Sequence, residues 1–200
     1  SDMHDSIYES ENVIFPIQSE APKGYSHFDV IGGTIDLNRK TENVIGGWYD
    51  AADWDRNAFH YVCVFDLLNA YEMAPAKFAD NQLNIPESGN GVPDVLDEAA
   101  YGLECWLRSM DERGGVSGYI ETSTHPDYND PNYKYAFSRR TRWNSLCYAA
   151  AAAQLAHNLQ KFDKKSSERF AESAKKAYQF GINPKNSLGK ITINAKKNRG

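Results

Sequence analysis

The chain has 200 residues, 41% of them hydrophobic and 24% charged, with a net charge of −5. That supplies one ordinary domain with a real core and argues against a disordered chain. A negative balance with no basic stripe weighs against a nucleic-acid partner, and no apolar run approaches the roughly 18 residues of a membrane span.

Residues 1–40 hold short β-like runs such as Val13-Ile14-Phe15, broken by Pro16, Pro22 and Gly24, and read as loop with one hairpin. Ile31 to Leu37 is either two short strands around Gly32-Gly33 or an ordered loop, and His27 reads as a surface residue. The stretch Gly46 to Arg56 then packs two glycines, three aromatics and three carboxylates ahead of an apolar helix. Asp50 and Asp53 stand three apart, so one helical turn would bring their Cβ atoms within about 5–6 Å. Such a pair can grip one water, one carboxylate taking the proton and the other aiming the lone pair. Trp48, Tyr49 and Trp54 offer flat faces suited to a pyranose ring, while Gly46 and Gly47 permit a positive φ and close backbone approach. A helix cap or solvated turn has the same composition; an EF-hand calcium loop would need a glycine and a distal glutamate that are missing.

From about Asn57 the set Ala58, Phe59, Val62, Phe65, Leu67, Leu68 and Tyr71 predicts a helix that Pro75 stops. Pro93 and Asp94 fit the first turn of a second helix, with Val95, Leu96, Ala99, Leu103, Trp106, Leu107 and Met110 on its apolar face. Glu87 and Asp97, beside it, read as loop-fixing and capping groups rather than catalytic acids. Residues 114–140 form a predicted loop region carrying Tyr119, Tyr128, Tyr133, Tyr135 and His125, either a wall of a sugar site or a loop packed by its own tyrosines. Arg139, Arg140 and Arg142 are expected to pair with carboxylates or with that loop.

Thr141 to Leu159 is apolar nearly all round and predicts a helix enclosed by neighbours, its alanines allowing close approach. A last helix runs from about Ser166 to Phe180 through Phe170, Ala174, Ala177 and Tyr178, with Gly181 and Pro184 as stop signals. The basic tail from Lys185 offers a short strand over Leu188 to Asn194. Cys63, Cys105 and Cys147 are odd in number within apolar helical patterns, so buried free thiols are expected rather than disulfides. That, with no signal-peptide pattern in these residues, leans towards a cytoplasmic or periplasmic setting.

Read together, Gly46-Gly47-Trp48-Tyr49-Asp50-Ala51-Ala52-Asp53 and Ile85-Pro86-Glu87-Ser88-Gly89-Asn90-Gly91-Val92-Pro93-Asp94-Val95-Leu96-Asp97-Glu98 resemble the paired N-terminal motifs of glycoside hydrolase family 9. The resemblance departs at Ala52, where the family usually has glycine. It implies an all-α fold, the N-terminal portion of an (α/α)6 barrel with long loops and little strand, in which residues 1–200 are one catalytic-domain portion with an irregular entry segment over about 1–45. It also implies an inverting β-glycosidase, placing the general base on Asp53 and water positioning on Asp50. Trp48, Tyr49, Trp54, Asp55 and His125 are the candidate substrate contacts, and neither a metal nor any other cofactor is called for.

The family's general acid is a glutamate in a motif near the end of a domain more than twice this long, and nothing here matches it. This chain alone is therefore expected to lack the acid, and its partners are a saccharide substrate and the rest of the catalytic domain C-terminal to it, not nucleic acid or membrane. The substrate class implied is β-1,4-linked polysaccharide or oligosaccharide of the cellulose type. An exo-β-D-glucosaminidase acting on chitosan oligosaccharides is an alternative, because Asp55 would suit a cationic amino sugar. A non-catalytic carbohydrate-binding helical module is the alternative of another class.

Overall fold

The computed structural model describes residues 12–14, 16–17, 34–35, 45–48, 56–122, 134–137 and 140–187. Four α-helices carry the fold: α1 Tyr61–Met73, α2 Asp94–Arg108, α3 Arg142–Leu159 and α4 Lys164–Ile182. Their starts follow local chemistry. Thr141 Oγ1 accepts the Asn144 N–H at 3.1 Å to open α3, and Asp163 Oδ1 accepts that of Ser166 at 3.1 Å to open α4. Pro93 lies one residue earlier than expected, at the N-cap of α2 rather than in its first turn.

The buried face of α1 is Tyr61, Val64 and Leu68, with Phe65, Leu67 and Tyr71 packed partly against the core. Phe59 and Val62, expected on that face, are 58% and 59% exposed, and Cys63 beside them is exposed rather than buried. The helical period is right but the apolar stripe is wider than the surface its neighbours cover. In α2 the expected Val95, Leu96, Ala99, Leu103 and Trp106 are buried, joined by Gly102 and Cys105.

Helices α3 and α4 form an antiparallel hairpin joined by Gln160 to Asp163. Tyr148 and Ser173 hydrogen-bond at 2.8 Å inside it, and Ser167 Oγ donates to the Ala156 carbonyl at 2.7 Å. Gly181 does not stop α4; it stands where a Cβ would be 2.7 Å from Leu146 Cδ2, and its carbonyl accepts Arg142 Nε at 2.7 Å. Arg142 thus ties the hairpin ends together instead of meeting a carboxylate. The expectation for Tyr178 fails, since its ring is 51% exposed. Nor is α3 enclosed on every side: a stripe through Trp143, Ala150, Ala153 and His157 faces outward. Along it the alanines leave an apolar cavity of about 580 Å³ shared with α4.

Among the described residues there are also eight short strands. β1 Asn12–Ile14, β7 Lys134–Phe137, β6 Tyr119–Thr122 and β4 Arg56–Asn57 lie in that order in one sheet, with β1 parallel to β7 and the other pairs antiparallel. β2 Pro16–Ile17 pairs antiparallel with β3 Thr34–Ile35, and β5 Val116–Ser117 with β8 Arg140–Thr141. Within the stretch Ile31 to Leu37 only Thr34–Ile35 is described, and Gly32-Gly33 lies outside the described residues. Parts of the predicted loop region 114–140 are strand, in keeping with the aromatic and β-branched residues Tyr119, Ile120, Thr122, Tyr135 and Phe137.

Candidate active site

Helix α2 holds both motifs. Gly46 and Gly47 adopt φ of +105° and +78°, and this lets the chain run against the helix: the Gly47 N–H donates to the Tyr101 carbonyl at 2.8 Å. A Cβ on Gly46 would lie 2.6 Å from Glu104 Cβ, so the glycine serves packing on the helix as much as turning. Trp48 follows with its Nε1–H donated to Glu98 Oε1 at 2.8 Å. Its ring lies over Gly102, where a Cβ would stand 2.6 Å from Cζ3.

The second motif is a knot around two carboxylates. Asp80 accepts the N–H of Gly89 at 2.6 Å and of Gly91 at 2.7 Å, which hold its carboxyl below the ordinary value. Both glycines have positive φ, +97° and +89°, as a loop that aims two N–H groups at one carboxylate requires. Asp94, fully buried at the start of α2, accepts from Asn81 N at 3.0 Å, Leu83 N at 2.6 Å and Ser88 Oγ at 2.9 Å. Asp97 Oδ2 accepts Asn90 Nδ2 at 3.1 Å. Burial pushes the Asp97 carboxyl up to about 6, the charges of Glu87, Asp94 and Asp80 adding to it against that hydrogen bond. Among the described residues no three His, Cys, Asp or Glu are gathered as metal ligands.

Of the candidate site residues, Trp48 is described, and its N–H and ring are engaged with α2. Tyr49, Asp50, Asp53, Trp54, Asp55 and His125 lie outside the described residues, as do His27, Arg139 and the Leu188 to Asn194 stretch. What is described are the two ends of the acidic stretch. Gly47 and Trp48 are fixed to α2 before it, and Arg56–Asn57 pair with Ile120 and Tyr119 of β6 after it. The seven residues 49–55 are thus bracketed by a helix and a strand. Glu98 as the indole acceptor and Asp80 as the loop's centre were missed from sequence, because their partners stand 50 residues and nine to eleven residues away.

A family model described as glycosyl hydrolase family 9 matches residues 16–199. The chain belongs to glycosyl hydrolase family 9. Endoglucanase C of Cellulomonas fimi is 32% identical over 148 residues, covering 66% of this chain and 13% of that protein. A cellulose 1,4-beta-cellobiosidase of Acetivibrio thermocellus is 30% identical over 162 residues, 71% of this chain and 18% of that protein. A solved metagenome-derived family 9 endoglucanase superposes with a TM-score of 0.68 at 29% identity, over 86% of this chain and 29% of that one. The chain thus spans less than a third of the length of these relatives. As a family 9 chain it has the helical architecture of part of an (α/α)6 barrel, with little strand.

Proposed function

We propose that this family 9 chain carries the water-activating half of an inverting hydrolase for β-1,4-linked glucan, with residues 1–200 as the N-terminal portion of the catalytic domain. Asp53 removes the proton from a water held by Asp50 as that water attacks the anomeric carbon. A carboxylic acid on the opposite side of the bond protonates the leaving oxygen; no segment here resembles the family's acid motif, so it belongs to another part of the protein. Tyr49, Trp54, Asp55 and His125 face the saccharide, and the exposed part of Trp48 adds to that wall. The names of the relatives, an endoglucanase and a cellobiosidase, favour glucan over an amino sugar.

The observation that carries the reading is the bracketing of residues 49–55 between α2 and β6 in a chain of this family. General-base chemistry needs a carboxylate held within hydrogen-bond reach of its water, and short tethers to two regular elements supply that restraint. The test is Asp53→Asn in the complete protein, acting on cello-oligosaccharides. We expect kcat to fall by at least ~10², with KM nearly unchanged. Near wild-type turnover by a folded Asp53→Asn protein overturns the assignment.

A further inference from the structure

A side-chain hydrogen bond joins the two motifs, between the tryptophan of the first and the last residue of the second. Trp48 Nε1 donates to Glu98 Oε1 at 2.8 Å, across 50 residues of sequence. Two other contacts of this seat are of a different kind. Gly47 N–H to Tyr101 O is a backbone bond, and the indole's fit over Gly102 depends on a missing side chain. Residues 98, 101 and 102 stand at i, i+3 and i+4, so all three contacts fall on one face of α2. A ring resting on a glycine can slide and rotate in its plane; the hydrogen bond to Glu98 fixes its direction.

We propose that Glu98 is a positioning residue for hydrolysis: it fixes the indole of Trp48 and, through it, the backbone that reaches Asp50 two residues later and Asp53 five residues later. The inference rests on the reading of those aspartates as the water-activating pair. Removing the carboxylate leaves the Gly47–Tyr101 bond and the Gly102 seat in place. The effect therefore falls on the aim of the acidic stretch rather than on whether the helix forms. An error of about an ångström in a reacting group costs up to ~10²-fold in rate.

The test compares Glu98→Gln, Glu98→Leu, Trp48→Phe and the double variant Glu98→Leu/Trp48→Phe in the complete protein on cello-oligosaccharides, with Asp53→Asn in parallel. Glu98→Gln keeps an oxygen that accepts the indole N–H, so kcat stays within about 3-fold of wild type. Glu98→Leu and Trp48→Phe each lower kcat by about 10- to 10²-fold, the Glu98→Leu loss coming with little change in KM or melting temperature. The double variant loses less than the product of the two single losses, since both remove the same bond. Wild-type kcat in Glu98→Leu, or losses that multiply in the double variant, overturns the proposal. Should Glu98→Leu fail to fold, Glu98→Met decides, because it removes the acceptor and leaves the indole over Gly102; wild-type kcat there also overturns it. An inactive Asp53→Asn beside a fully active Glu98→Leu refutes the positioning role alone, whereas an active Asp53→Asn refutes the functional reading beneath it.

Discussion

Asp97 shows how one carboxylate in the second motif trades stability for its place. It is half-buried beside Glu87, Asp94 and Asp80, and its carboxyl is pushed up to about 6. The folded protein therefore binds this proton more tightly than the unfolded chain. The stability gained is fully present below the ordinary carboxylate value near 3.8 and is lost as pH rises through about 6. Asp97→Asn removes the titration while leaving an oxygen to accept Asn90 Nδ2. Relative to wild type, we expect the variant to melt at the same temperature near pH 4. By pH 7.5 it should melt higher by about 2–4 °C, the shift of roughly 1 kcal/mol left after solvent screening of a half-exposed group. Differential scanning calorimetry across that range checks it, and a constant offset at every pH would contradict it. The sequence marks Asp97 as a loop-fixing residue, which its bond to Asn90 agrees with, and shows Asp94 one turn away, but gives no sign of Asp80 and Glu87 beside it, because they come from the other side of a turn.

At the scale of elements, α2 is the common support, and its first residue is the pin of the second motif. Asp94 gathers two backbone N–H groups and a hydroxyl into a fully buried carboxylate, so the loop before the helix closes on the helix itself. Asp94→Ala strands those donors at about 1–3 kcal/mol for each one that water fails to reach, and we expect a net loss of about 2–4 kcal/mol in urea unfolding. Asp94→Asn, which keeps one acceptor, should lose less; equal losses, or none, would contradict the pinning role. The apolar period located the four described helices, and Thr141 was legible as the start of α3 from its residue type. Which apolar residues are buried was less legible. Phe59, Val62 and Tyr178 lie on helical stripes as apolar as those of Val64 and Phe170, but burial depends on neighbours distant in sequence. Gly181 carried the local signature of a helix stop and is instead a contact point with Leu146, since a glycine's packing use leaves the same letter as its turning use.

For the whole molecule, the part described is a helical layer with α2 beneath both motifs and the α3–α4 hairpin beside it. Polar links bind the helices to one another: Gln154 Nε2 of α3 donates to Asn69 Oδ1 at 2.9 Å and Asn158 Nδ2 to Glu72 Oε1 at 2.8 Å on α1, while Arg169 of α4 pairs with Glu104 of α2. This frame, shared with family 9 relatives several times longer, holds both ends of the acidic stretch, and the proposed function assigns the chemistry to the seven residues between them. The proposed function requires that Asp53 activate water rather than attack the sugar itself. An inverting site leaves room for that water by setting base and acid roughly 6.5–9.5 Å apart, whereas a nucleophile would sit close enough to bond to carbon. Proton NMR of the first product released by the complete protein from a β-1,4-linked cello-oligosaccharide separates the two before mutarotation does. The α-anomer is expected first, and an initial β-anomer would contradict water activation by Asp53.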